Sequence, residues 1–175
     1  MPNHCINSLV VSGPFHEIKV FQNTFYHRAN NKIYHLHLQP FYKDIAAIEC
    51  KDRSEYDTNA CGTKWGCYDF FDVILSENKL CMKFRTAWSP YNQATSIFMS
   101  RRHPLLEFHL TYAERGMGFV GERITKNGII QTDICFDPIK NKILKVEESA
   151  DDKAFPVERW LSLGNKFEQL WNASG

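Results

Sequence analysis

The feature that most constrains the fold is a pair of adjacent strand-like runs, Tyr68–Leu75 and Lys79–Ala87. The residues between them, 76–78 (Ser-Glu-Asn), form a short polar turn, so the stretch predicts a β-hairpin. In the second run, apolar and polar side chains alternate, and alternate residues of a strand point to opposite faces of a sheet. We therefore expect one core face and one polar face. The predicted core face carries Leu80, Met82, Phe84 and Thr86, and the polar face carries Cys81, Lys83 and Arg85.

The flanking segments predict further strands and two helices. Residues 5–12 are β-rich and end at Gly13-Pro14, after which near-helical spacing of apolar residues predicts a helix through Arg28. A second helix is predicted over 91–103, with Ser89 as its N-cap. Alternation over 106–113 predicts a strand, and Asn127-Gly128 is typical of a type I′ hairpin turn. A strand is also predicted in the segment KILKVEE.

The order strand–helix–strand–strand–helix–strand is the βαββαβ arrangement of the ferredoxin-like fold. We therefore predict an α+β protein with an antiparallel sheet and an added β-meander. The predicted domain covers residues 1–148, with an insertion at about 30–67 between the first helix and the second strand that covers the open sheet face. Residues 149–175 are predicted to be a polar linker followed by an amphipathic C-terminal helix.

Composition narrows the functional classes. The net charge of the 175-residue chain is +1, so nucleic-acid binding would require a local basic patch rather than a global field. The N-terminus lacks the pattern of a signal peptide, and no apolar run is long enough to span a bilayer, which predicts a cytoplasmic protein. The six cysteines would then be reduced thiols.

Residue patterns do not favour a metal site or catalysis. His35 and His37 lie upstream of three cysteines, but no Cys-x-x-Cys pair accompanies them, so we predict no metal and no cofactor. The common nucleophile and nucleotide-binding motifs are absent, which favours a non-enzymatic protein. A small phosphoester hydrolase with Arg85, Glu107 and His109 as its polar centre stays open as a lesser alternative.

Basic and aromatic residues provide the candidate binding site. Trp65 and Trp88 lie in turns at the two ends of the hairpin stretch, where they could plug the core or anchor a protein interface. A basic–aromatic patch would suit a nucleic acid, and it would consist of Lys64, Lys83, Arg85, Arg101 and Arg102 together with the two tryptophans. An ion pair of Lys83 or Arg85 with Glu107 is the simpler expectation. The candidate binding residues are Lys64, Trp65, Lys83, Arg85, Trp88, Glu107 and His109.

Four short motifs, spread over residues 1–121, carry a family resemblance. They are MPNHCINSLVVSG, EYD followed by GTKW, FRTAWSP, and LTYAERGMGFVG. In this order they resemble the YubB-like ferredoxin-like domain family, which is carried mostly by phages and plasmids. The resemblance implies a ferredoxin-like fold without an iron–sulfur cluster and a mobile-element context, and it implies no catalytic residues.

These observations lead to two functional expectations. The first is a non-enzymatic accessory protein of a phage or other mobile element that acts in the host cytoplasm by binding a host protein, as an anti-defence inhibitor would. The second is a nucleic-acid or nucleotide-binding module that uses a rim of Trp, Lys and Arg. Homodimerisation through an exposed strand edge also stays open.

Overall fold

The computed structural model describes residues 3–29, 32–36, 61–137 and 142–148. These residues form an α+β structure that contains an antiparallel sheet of seven strands, a separate two-stranded sheet and two helices. In chain order, the elements are β1 (His4–Ser12), α1 (Phe15–Phe25), β2 (Tyr26–Ala29), β3 (Lys32–Leu36), β4 (Tyr68–Leu75), β5 (Lys79–Ala87), α2 (Gln93–Arg102), β6 (Glu107–Glu114), β7 (Phe119–Lys126), β8 (Ile129–Asp137) and β9 (Lys142–Glu148).

The strands of the large sheet follow the order β4-β5-β1-β6-β7-β8-β9. The predicted hairpin is present as β4 and β5, and it lies at one edge of the sheet. The meander β7–β8–β9 extends the sheet on the other side of β6. The turn between β7 and β8 has positive φ at both Asn127 (50°) and Gly128 (75°), which confirms the predicted type I′ turn.

Both helices pack on the same face of the sheet. Phe21 of α1 contacts Phe108 of β6 edge-to-face, with 5.2 Å between ring centroids. On β7, Thr125 is the register partner of Phe108, so Thr125 and Arg123 lie on this same face. Arg123 donates a hydrogen bond from there to the Ser96 hydroxyl of α2. The residues predicted to face the core on β5 are buried here, which confirms that prediction. They are Leu80, Met82, Phe84 and Thr86.

Two predicted helix boundaries are wrong. The first helix ends at Phe25, and residues 26–29 instead pair with β3, because strand pairing overrides a local helical spacing. The second helix begins at Gln93 rather than near Ser89. Its N-cap is Asn92, whose side-chain oxygen accepts a hydrogen bond from the Thr95 amide at 2.9 Å.

The face opposite the helices is the predicted polar face. Cross-strand register places Lys83, Ser8 and Thr111 side by side on it. This face is not wholly exposed, since Glu122 and Ile134 are buried there. The predicted insertion over 30–67 is described only at 32–36 and 61–67, and the predicted linker and C-terminal helix lie outside the described residues. Within the described parts of the chain, no helix is long and apolar enough to cross a membrane.

Candidate binding site

Trp65 and Trp88 meet at one end of the hairpin. Trp65 lies in the turn before β4, and Trp88 follows β5 directly, so the antiparallel hairpin brings the two residues together. Their indole rings stack with 6.2 Å between centroids and 28° between planes. Trp65 is 40% exposed and Trp88 is 42% exposed. The stack joins the two ends of the hairpin stretch, but it is a surface feature and not a plug in the core.

Tyr68 and His4 extend this aromatic surface. The Tyr68 ring contacts Trp65 edge-to-face at 6.0 Å, and its hydroxyl lies 2.7 Å from His4 Nδ1. Burial, followed by the nearby charge of Asp69, raises the pKa of Tyr68 to about 12. The phenol therefore stays protonated at neutral pH. Sequence analysis missed both residues, because the contact joins positions 64 residues apart.

Lys64 completes the surface, with its Nζ atom 6.0 Å from the centroid of the Trp65 ring, within cation–π range. We call these five residues the tryptophan rim: His4, Lys64, Trp65, Tyr68 and Trp88. Of the predicted candidates, Lys64, Trp65 and Trp88 belong to the rim, and Arg85 lies beside it because it is the register partner of Tyr68.

Trp88 occupies a strained backbone conformation. Its φ is +63°, in the left-handed region that bulky side chains rarely adopt. The Ser89 amide donates to the Ala87 carbonyl at 2.8 Å, which closes a three-residue turn around Trp88. The Trp88 amide donates to the Asn3 carbonyl at 2.9 Å. The turn is therefore fastened both to itself and to the start of β1.

Two basic residues of β5 form ion pairs with aspartates of β4. Lys83 lies 2.9 Å from Asp72, and Arg85 lies 3.5 Å from Asp69. Both aspartates have positive φ, 49° and 48°, at points where the register between β4 and β5 shifts. These irregularities resemble β-bulges, which re-aim side chains and make an edge strand a poor template for pairing.

The predicted pairing of Lys83 or Arg85 with Glu107 is wrong. Lys83 lies opposite Ser8 of β1, whereas Glu107 lies opposite Ser12, four residues further along. At about 3.3 Å per residue this separation is about 13 Å, and β1 also lies between the two strands. Glu107 instead lies 3.8 Å from Lys126 on the neighbouring strand.

His109 belongs to a different part of the same face. Its Nε2 atom lies 2.9 Å from Glu122, whose side chain is only 4% exposed. The same register argument separates His109 and Glu107 from Arg85, which lies opposite Ile6. The polar centre suggested for a phosphoester hydrolase is therefore not formed.

Arg101 and Arg102 lie at the other end of the sheet from the tryptophans. The Arg101 side chain packs over Gly128 in the turn that joins β7 and β8. That turn lies near the C-terminal end of β1, whereas Trp88 lies beside its N-terminal end. Nine residues of extended chain span about 30 Å. The predicted basic–aromatic patch that joins these arginines to the tryptophans is therefore wrong.

Metal-binding groups are not gathered in the described part of the chain. Among those residues, no set of three or more His, Cys, Asp or Glu side chains could hold a metal ion. Cys5 is a fully buried thiol whose pKa is raised, first by burial. A thiol in this state is a poor nucleophile, because the thiolate is the reactive form.

Comparison with known proteins gives a fold relationship. No family model matches this chain, and no curated protein matches it. The chain is similar to the crystal structure of the protein api92 from Yersinia pseudotuberculosis, which is assigned to the family DUF1281, with a TM-score of 0.52 and 9% sequence identity. The match covers 89% of this chain and 100% of the other. At this identity, the similarity shows a shared fold and nothing about function.

Proposed function

We propose that this protein is a non-enzymatic accessory protein of a phage or other mobile element, and that it binds a host protein through the tryptophan rim. The observation that carries the proposal is the stacked, roughly 40% exposed pair of Trp65 and Trp88. Tryptophan is the residue most enriched among the anchors of protein interfaces, where a few side chains supply most of the binding energy. Tyr68 adds a third aromatic ring to the same surface.

Charges near the rim favour a protein over a nucleic acid. Polyanion binding depends on cations that replace counterions along the phosphate backbone. Here Lys83 and Arg85 each lie against an aspartate, so their positive charge is offset locally. Arg101 and Arg102 lie too far away to contribute to the same surface. What the rim presents is mainly aromatic area, with Lys64 at its border.

The fold part of the proposal is a ferredoxin-like core. It comprises β1, α1, β4, β5, α2 and β6, and the spatial order β4-β5-β1-β6 with both helices on one face supports it. The strands β7, β8 and β9 would be the added meander. The mobile-element origin and the anti-defence role rest on the resemblance to the YubB-like family, and the host cytoplasm as the site of action follows from that role.

A capture experiment tests the proposal. The tagged full chain is incubated with lysates from several bacterial hosts, beside a Trp65→Ala/Trp88→Ala variant and a Phe15→Ala control. Phe15 is 48% exposed and begins α1, at the opposite end of β1 from the rim. Its replacement by alanine therefore removes an exposed aromatic side chain without changing the rim. We expect a host protein that the wild type and the control capture and the double variant does not. Loss of one anchor of at least ~2 kcal/mol corresponds to about 30-fold weaker binding in calorimetry.

Three results would contradict the proposal in different ways. Equal capture by the double variant would show that the host protein binds at a surface other than the rim. The absence of a specific host protein from every lysate would remove the function. Binding of DNA or RNA that weakens steeply with salt would replace it with the nucleic-acid alternative. Size-exclusion chromatography would separately report a homodimer. The irregular register of β4 disfavours strand pairing at that edge of the sheet.

A further inference from the structure

A chain of buried hydrogen bonds leads from the centre of the sheet to the tryptophan rim. Asn7 on β1 is fully buried, and its Nδ2 donates to the Thr86 Oγ1 on β5 at 2.8 Å. Thr86 is also fully buried, and its hydroxyl in turn donates to the Ser89 carbonyl at 2.6 Å. Ser89 closes the three-residue turn around Trp88. Two buried polar side chains thus lead to the turn that presents the exposed Trp88.

This arrangement has two energetic costs, one in the core and one in the turn. The Asn7 Oδ1 atom is buried and has no hydrogen-bond partner among the described residues. A buried polar atom in this state loses its hydration without compensation. The positive φ of Trp88 is the second cost. Strained conformations persist where the surrounding structure holds them, and they are concentrated at functional sites.

The hydrogen bonds are placed to hold that strain. Without the Thr86 hydroxyl, the Ser89 carbonyl loses a partner, and relaxation of the turn toward negative φ at Trp88 is opposed only by its backbone hydrogen bonds. Relaxation there changes the direction of the indole, because the side chain leaves the backbone at the strained residue itself. The stack on Trp65 would then be lost, although the sheet beneath it is intact.

We infer that Asn7 and Thr86 are positioning residues that hold Trp88 against Trp65. They keep the rim in its binding shape before a partner arrives, so that binding does not include the cost of ordering the turn. The use of the rim for binding rests on the proposed function, whereas the positioning of Trp88 does not. A preformed pair of indoles fits an apolar or aromatic group of the partner.

The test is Thr86→Val, which keeps the side-chain shape and removes the hydroxyl. Matched controls are Thr86→Ser, which keeps it, and Thr125→Val, which alters a buried threonine at the other end of the sheet. All variants carry Trp160→Phe and Trp171→Phe, so that Trp65 and Trp88 are the remaining indoles. The readout is the exciton couplet of the indole pair in far-ultraviolet circular dichroism, with thermal unfolding as the measure of folding.

We expect Thr86→Val to weaken the couplet while both controls retain it. Loss of one hydrogen bond shifts the ratio of positioned to displaced Trp88 by about fivefold. An unchanged couplet in Thr86→Val overturns the inference, whatever the partner. If Thr86→Val does not fold, NMR scalar couplings of the wild-type protein still report φ at Trp88, and a negative φ overturns the inference directly.

Host-protein capture by the same variants separates this inference from the proposed function. A lost couplet with lost capture supports both. A lost couplet with unchanged capture retains the positioning role and contradicts binding through the rim.

Discussion

Two buried hydrogen-bonded clusters lie on the helix-packed face of the sheet, and they act on different parts of the molecule. In the first, Arg123 pairs with Asp133 at 3.1 Å and donates to the Tyr91 carbonyl at 2.9 Å and the Ser96 hydroxyl at 3.2 Å. Gln93 donates to Asp133 at 2.8 Å. This cluster fastens the first turns of α2 to β7 and β8.

The second cluster runs through Asn7 and Thr86 to the turn at Trp88. The first cluster ends on a helix that is itself packed on the sheet, whereas this one ends on the turn around Trp88, a residue that is 42% exposed. Buried polar groups that hold a helix are explained by folding alone. Buried polar groups that hold an exposed, strained aromatic residue indicate a surface whose shape matters, and this contrast directs attention to the rim.

We expect the largest loss of stability from a substitution that breaks the first cluster. Arg123→Ala leaves Asp133, which is 1% exposed, as a buried charge without its cation. Removal of one partner of a buried ion pair costs about 3–5 kcal/mol, so we expect a loss of that size in urea unfolding. The paired change Arg123→Met/Asp133→Leu removes both charges and should cost less. A loss below about 1 kcal/mol in Arg123→Ala would show that the cluster does not secure α2.

The next prediction measures the backbone strain at Trp88, in the turn where the second cluster ends. Trp88→Gly and Trp88→Ala both lose the stack, but glycine adopts a positive φ at little cost. We therefore expect the glycine variant to be more stable than the alanine variant by ~1 kcal/mol in thermal or denaturant unfolding.

The same pair of changes at Trp65 is the control for that comparison. Trp65 is not among the described residues that have positive φ. Glycine should therefore give no advantage over alanine at this position. Equal stabilities of the two Trp88 variants would mean that the turn relaxes without its indole.

The next prediction concerns the C-terminal end of α2, where a buried histidine links stability to pH. His103 follows the helix, is 3% exposed and lies 3.7 Å from Glu17 of α1. Burial lowers its pKa below the ordinary 6.5, while Glu17 opposes the shift. The unfolded chain therefore binds the proton more readily, and stability is lost as the pH falls below about 6.5.

The variant His103→Gln isolates this contribution. Urea unfolding at several pH values should show a weaker dependence on pH in the variant than in the wild type. Parallel curves for the two proteins would assign the dependence to other groups.

The smallest expected effect concerns the charges near the rim. Asp72→Asn removes the charge that faces Lys83 but keeps a side chain that tolerates the left-handed backbone at this position. Because the Asp72 side chain is 56% exposed, we expect a loss of a few tenths of a kcal/mol that disappears at high salt. A loss above ~1 kcal/mol would make this pair a structural element comparable to Arg123 and Asp133.

Several features could be predicted because they depend on neighbours in the sequence. The alternation in β5 predicted its buried face, and Asn127-Gly128 predicted the turn between β7 and β8. The end of α1 and the cap of α2 were predicted wrongly, because tertiary pairing and the tight turn at Trp88 decide them. Within the candidate site, His4 and Tyr68 were missed because the contact between them exists only after the sheet has formed.

By itself, the sequence determined the hairpin, its two faces and the placement of two tryptophans in turns, since strand periodicity and turn chemistry act over a few residues. Only the tertiary structure decided that these tryptophans are exposed. Tertiary structure alone decided which charges meet. The register placed Glu107 far from Lys83 and the bulged aspartates of β4 close to it, and the length of β1 separated Arg101 from Trp88. It also decided that Trp65 and Trp88 stack, because the antiparallel hairpin brings its two ends together while buried hydrogen bonds hold the turn at Trp88.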